Sequence, residues 1–309
     1  MAEIVLLDGG MGQELVRRSA AAPSPLWSAE VMEREPHLVQ ALHADFIEAG
    51  ARVVTFNSYS ATPERLARHM ETDEAERRFE ALQRTAIGLA SAAKRDAPHP
   101  VAVAGCLPPL GGSYHPEAGP GFEQTLANYR RILAIQSEAC DLVMAETMSS
   151  VAEARAAART IREAGQRGWI ALSVSDDDGT RLRSGEPLEA GCAAAAEEGA
   201  EAVLLNCSRP EAIWRGLSIL AATGLPFGAY ANGFTNAAEL SIGGTVAGMG
   251  VRRDLGPDAY ADHAMAWIAK GATIVGGCCE VGPAHIARLR ERIEAAGHEI
   301  VAPLALSPA

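Results

Sequence analysis

Ala202-Val203-Leu204-Leu205-Asn206-Cys207 decides how this chain is read. Four apolar residues, too short a run for a helix, pass straight into a polar residue and a thiol. That is the pattern of a strand buried on both faces that ends in a reactive side chain. Seven more short apolar runs resemble it, at 4–7, 52–56, 101–104, 142–145, 169–174, 227–231 and 273–275. Between them lie longer stretches rich in Ala, Glu and Arg with helical spacing, such as 36–48, 73–94, 125–139, 150–164 and 187–198. Eight β-α units of roughly 30 to 50 residues predict an α/β fold, a (β/α)8 TIM barrel, in a single domain over residues 1–309.

The residues that terminate each run support closure. The first strand leads into Asp8-Gly9-Gly10, the second into Asn57-Ser58 and the fourth into Glu146-Thr147. The sixth leads into Cys207, the seventh into Asn232-Gly233 and the eighth into Cys278-Cys279. Barrel enzymes assemble their sites at the carboxyl ends of their strands. An open doubly wound sheet does so too, but no G-x-G-x-x-G turn comes after the first strand here. The long loops at 107–122 and 231–255 are expected to cover that end. The tail after His298 is expected to carry little structure.

The formal charge of −12 offers no basic stripe for nucleic acid. No apolar run is long enough to span a membrane, and the first residues lack a signal-peptide pattern. Six irregularly spaced cysteines do not form a disulfide framework, so a reducing cytoplasm is the expected location. The sequence leaves the oligomeric state open.

Cys207, Cys278 and Cys279 end two strands and can converge on one soft cation, with Zn2+ the expected cofactor. Adjacent residues of a regular strand face opposite ways, so Cys278 and Cys279 converge only if the strand stops or kinks, a freedom assigned to Gly276 and Gly277. Buried packing cysteines or a vicinal disulfide are the plainer readings. Three thiolates make zinc a poor centre for hydrolysis, but suit a fourth ligand that is itself a thiol, deprotonated yet still nucleophilic. Its natural partner is an activated methyl group. Asp8 and Glu146 are placed to receive a substrate ammonium, and the amides of Gly9, Gly10 and Met11 a carboxylate. Asn57 and Asn232 complete the expected substrate-binding set, although Asn232-Gly233 also reads as an ordinary left-handed turn. The eight histidines form no metal-spaced pair. Cys106 comes after the third strand close to the site, without a ligand role. A zinc hydrolase on the same barrel, or a non-catalytic sensor of a thiol ligand or metal, remain the alternatives.

These residues together resemble the zinc-dependent homocysteine S-methyltransferase family. The resemblance rests on Asp8-Gly9-Gly10-Met11-Gly12-Gln13-Glu14-Leu15, Pro25-Leu26-Trp27-Ser28-Ala29 and Thr55-Phe56-Asn57-Ser58-Tyr59. It continues through Glu146-Thr147, Asn206-Cys207 and Gly276-Gly277-Cys278-Cys279. It implies a (β/α)8 barrel, zinc on the three cysteines, and the homocysteine amino group held by Asp8 and Glu146. Asn232 resembles a residue that occupies the fourth metal position before the thiol arrives. The implied reaction transfers a methyl group to homocysteine and yields methionine. Because the chain has no room for folate or cobalamin modules, a small donor such as S-methylmethionine or S-adenosylmethionine is expected. Two stretches depart from the family pattern, Glu280-Val281-Gly282-Pro283 after the cysteine pair and Ala231 before Asn232. Both border the donor side.

Overall fold

The computed structural model describes residues 1–20, 24–242, 244, 246 and 249–303. Strand β1 (Glu3–Leu6) precedes helices α1 (Met11–Arg18), α2 (Ser28–Arg34) and α3 (Pro36–Ala49). Next come β2 (Val53–Thr55), α4 (Pro63–Ala67), α5 (Thr72–Arg95), β3 (Ala102–Leu107) and α6 (Phe122–Gln136). After these stand β4 (Leu142–Met148), α7 (Val151–Glu163), β5 (Gly168–Leu172), α8 (Leu188–Glu197), β6 (Ala202–Asn206) and α9 (Pro210–Ala221). The chain finishes with β7 (Phe227–Tyr230), α10 (Pro257–Ala269), β8 (Ile274–Val275), α11 (Pro283–Ala295) and β9 (Glu299–Ile300).

All strands pair in parallel, in the order β2 to β8, then β1. A bridge between Leu7 and Val53 joins β1 back to β2, with Arg52 N donating to Leu6 O at 2.7 Å and Asp8 N to Val53 O at 3.1 Å. The barrel is therefore closed, as the eight runs predict. The period of two sorts each strand into two layers. Val5, Leu7, Ala102, Ala104, Leu142, Met144, Trp169, Ala171, Ala202 and Leu204 pack inside the barrel. Ile4, Leu6, Val103, Val143, Ile170, Val203 and Leu205 face the helices. Long α5 shows the helical counterpart, burying Phe79, Leu82, Ala86, Ala90 and Ala93 along one stripe.

Three expectations change. The tail is ordered just after His298: β9 pairs with β1 at Glu3–Glu299 and Ile4–Ile300, on the edge that β2 takes over further up. Residues 304–309 lie outside the described part. The third strand runs on to Leu107, so Cys106 lies within it rather than after it. The fourth runs on to Met148, with a register shift between Ala145 and Met148. Glu146 and Thr147 therefore sit in a bulge, which re-aims side chains. They do not start a helix; Ser150 caps α7 instead, accepting from Glu153 N at 3.2 Å. Among the described residues, no helix is long and apolar enough to cross a membrane.

Candidate metal and substrate site

A cavity at the carboxyl ends of the strands is lined by Asp8, Gly9, Gly10, Met11, Asn57, Glu146, Cys207, Cys278 and Cys279. The 107–122 loop contributes Ser113 and Tyr114 to its wall, and the 231–255 loop Phe234, Leu240 and Val246. Both loops thus cover the site as expected.

The Sγ atoms of Cys207, Cys278 and Cys279 all lie within 4.8 Å of one another, and all are free thiols. Two backbone devices bring them together. Cys207 leaves β6 with φ +48°, and its carbonyl accepts from Arg183 Nη2 at 3.0 Å. After β8 the chain turns at Cys278, closed by Val281 N donating to Cys278 O at 3.1 Å and by Glu280 at φ +67°. The strand does stop, but Gly276 and Gly277 do not supply a left-handed bend, since neither has positive φ. Their role is room. A Cβ on Gly276 would meet Leu7 Cβ at 2.5 Å, and one on Gly277 would meet Val281 Cγ1 at 2.1 Å.

Cys278 and Cys279 both hydrogen-bond to Cys207 and hold its thiol well below the ordinary range, with further help from the hydroxyls of Tyr114 and Thr147. The two donors' own thiols are pushed well up by that same interaction. Three thiols this close share their protons through hydrogen bonds, and a soft cation binding there would displace those protons. No histidine lines the cavity among the described residues.

Two carboxylates, Asp8 and Glu146, share this cavity with the cluster. Glu146 is hydrogen-bonded through both oxygens, by Tyr230 Oη at 3.2 Å and Cys106 Sγ at 3.4 Å. Burial pushes its carboxyl up to about 7, and the charge of Cys207 adds to this. Burial likewise drives Asp8 well above the carboxylate range, against the N–H that Thr55 donates to Asp8 Oδ2 at 2.9 Å; Glu146 raises it further. Neither acid has a basic side chain paired with it among the described residues. A buried acid pair of this kind is costly unless a cation arrives.

The remaining expected residues divide. Asn57 sits in the wall with its amide donated to Ser28 O at 3.3 Å. Gly9 and Met11 line the cavity, but Gly10 N is already committed to Val281 O at 2.8 Å, which removes it from the expected anion nest. Asn232 is fully buried and does not line the cavity. It is not in the left-handed region either; its Oδ1 accepts from Phe234 N at 3.3 Å, and its Nδ2 has no partner among the described residues.

Sequence reasoning quoted Asn206, Trp27 and Tyr59 within the family motifs but gave none of them a role. Asn206 accepts from Thr147 N at 2.9 Å and donates to Thr147 Oγ1 at 3.1 Å, pinning a residue at φ +64° beside Glu146. Trp27 and Tyr59 meet edge to face at 6.3 Å in the cavity wall. Gln13 links Trp27 Nε1, at 3.1 Å, to Glu280 Oε1, at 2.7 Å, while Arg17 pairs with Glu280 Oε2 at 2.7 Å. The departure at Glu280 thus props the wall that Trp27 forms. The inward parity of residues 202, 204 and 206 was the available signal for Asn206; for Glu280 the signal was its departure from the family pattern, which marked the place but not the role.

A family model described as homocysteine S-methyltransferase matches residues 5–293. The chain belongs to the homocysteine S-methyltransferase family. The family member from Escherichia coli K12, named homocysteine S-methyltransferase, is 31% identical over 94% of this chain and 95% of its own. Homocysteine S-methyltransferase 4 of Zea mays is 29% identical, covering 97% of this chain and 92% of its own. A selenocysteine Se-methyltransferase of Brassica oleracea is 28% identical over 93% and 88%. The crystal structure of the E. coli homocysteine methyltransferase MmuM in metallated form superposes with a TM-score of 0.77 at 29% identity, over 94% of this chain and 96% of that one.

Proposed function

We propose that this homocysteine S-methyltransferase family member methylates the thiol of homocysteine from S-methylmethionine or S-adenosylmethionine, forming methionine, with zinc as its metal. The carrying observation is one cavity that holds three clustered thiols and two buried carboxylates, neither paired with a basic side chain among the described residues. Such a site is complementary to an amino acid with a thiol at its far end. The relatives named for homocysteine and for selenocysteine support an acceptor of that class.

Cys207, Cys278 and Cys279 fit a soft cation and are the proposed ligands. Zinc bound there would supply a position at which a thiol loses its proton near neutral pH. Asp8 and Glu146 would receive the acceptor's ammonium, and the amides of Gly9 and Met11, with Asn57 nearby, its carboxylate. Tyr230 and Cys106 fix both oxygens of Glu146, so the ammonium meets a pre-aimed acid. Elsewhere in the cavity wall the rings of Trp27 and Tyr59 suit the positive methyl donor, whereas the Tyr114 ring already carries the Arg183 guanidinium at 4.5 Å. Asn232 then supports the end of β7 rather than touching substrate. Reduced thiols around a metal fit a cytoplasmic enzyme, which is part of the proposal.

The test pairs methionine formation from homocysteine and each donor with zinc content, in wild type and Cys279→Ala. The proposal expects about one zinc and turnover in the former, and loss of both in the latter. Full turnover in a zinc-free Cys279→Ala protein would refute it.

A further inference from the structure

Arg65 is the counterpart of the acid pair. It lies in α4, and its side chain lines both the main cavity and a smaller one that adjoins it through Tyr59, Arg65 and Ser113. Thr62 caps that helix, accepting from Arg65 N at 3.2 Å, which fixes the backbone. The guanidinium itself pairs with no acid and makes no hydrogen bond among the described residues. Its chain neighbour Glu64 is engaged by Asn128. Burial, and then the charge of Arg68 beside it, pull the guanidinium below its ordinary value, while Tyr59 acts the other way. Arg68 donates to Gly111 O and also lines the smaller cavity. Tyr59 Oη and Ser113 Oγ, 2.8 Å apart, complete a polar rim.

We propose that Arg65, with Tyr59 and Ser113, forms a carboxylate subsite that selects the methyl donor, so that the donor is a sulfonium amino acid bearing a free carboxylate. This rests on the proposed methyl transfer. The acceptor's carboxylate is the wrong occupant, because an α-amino acid carries ammonium and carboxylate on one carbon. Arg65 reaches into the smaller cavity with Tyr59, Arg68 and Ser113, and neither Asp8 nor Glu146, where the acceptor's ammonium belongs, lines that cavity. Tyr59 bridges the two regions: its ring meets Trp27, and its hydroxyl meets Ser113 on the subsite rim. A cation held against the aromatic wall therefore has a carboxylate anchor within one molecule's reach. Guanidinium binds carboxylate with two parallel hydrogen bonds, a geometry that an ester cannot satisfy.

The experiment measures binding by zinc-loaded protein without homocysteine, so that no turnover intervenes. S-methylmethionine is compared with its methyl ester by calorimetry, in wild type, Arg65→Gln and Arg65→Lys. Wild type is expected to bind the acid at least about tenfold more tightly than the ester, the preference to vanish in Arg65→Gln, and part of it to persist in Arg65→Lys. Zinc content and homocysteine affinity of Arg65→Gln should match wild type. An acid-to-ester ratio unchanged by Arg65→Gln overturns the subsite, as does a wild type that shows no preference or binds neither probe. Homocysteine binding weakened as much as donor binding would move Arg65 to the acceptor and also overturn it. An Arg65-dependent preference without any methionine formation would leave the subsite standing and remove only the methyl-transfer reading.

Discussion

Two buried side chains show how single residues set this protein's pH behaviour, in opposite directions. Glu146, pushed up to about 7 by burial, is largely protonated in the free enzyme below neutrality. An incoming ammonium favours the ionised form. Homocysteine affinity should therefore climb as pH rises toward 7 and level off above it. Glu146→Gln should weaken homocysteine binding roughly tenfold or more at pH 8, since a desolvated charge pair typically contributes about 2–5 kcal/mol. It should also remove that part of the pH dependence while zinc content holds. Calorimetric titration across pH 6–8.5 checks this, and zinc loss in the variant would put Glu146 among the ligands instead. A carboxyl raised by folding stabilises at low pH and loses that contribution as pH rises through its folded value. Ligand-free Glu146→Gln should thus melt higher than wild type at pH 8.

His43 runs the other way. It is fully buried in α3, neither ring nitrogen has a partner among the described residues, and burial lowers its pKa to about 3. Its contribution is present above the unfolded value of 6.5 and disappears as pH falls from there toward 3. One pH unit below the unfolded value this costs about 1.4 kcal/mol. His43→Leu removes two unsatisfied polar atoms and should raise Tm by roughly 2–4 °C at pH 7.5, with a larger gain at pH 5.5. Thermal melts at both pH values decide; a variant no more stable at pH 5.5 than wild type would show that His43 is solvated or paired in solution.

At the scale of elements, the site depends on how tightly the end of β1 abuts the turn after β8. A Cβ on Gly10 would sit 2.4 Å from Cys278 O, a backbone atom that cannot swing aside. Gly10→Ala should therefore shift Cys278 and drop zinc occupancy below half, with circular dichroism near wild type. Retained zinc would mean that this contact gives more easily than the backbone geometry implies. The strands were legible because parallel strands buried on both faces read as continuous apolar runs. Where they ended was less so. Cys106 and Glu146 are polar residues inside strands, kept there by each other's hydrogen bond, and composition alone reads them as loop. Gly276 and Gly277 matter at the expected place for a different reason: close approach, not left-handed backbone. The pairing of β9 with β1 was hidden because two residues carry too little pattern to register.

Across the whole molecule, the barrel gathers residues from strands far apart in sequence and leaves each charge at the site without its natural partner. Among the described residues, Asp8 and Glu146 lack a paired cation, Arg65 lacks an anion, and three thiols crowd together with the Cys207 thiol held well below its ordinary range. The acids and thiols stood out in sequence because they come directly after apolar runs. Asn206 also comes directly after an apolar run, but an amide there looks ordinary beside a thiol, as does an arginine in a helix such as Arg65, until the fold shows what they face. Those incomplete pairs are costly to bury, and they carry the proposal that the site takes a ligand of complementary charge. The central claim is that the three sulfurs hold zinc and present it to the thiol of homocysteine. Zinc K-edge X-ray absorption, recorded on the loaded enzyme before and after homocysteine is added, tests it most directly. The account predicts three sulfur neighbours at about 2.3 Å, rising to four with homocysteine. Fewer than three sulfurs at the start, or no added sulfur at saturating homocysteine, would contradict it.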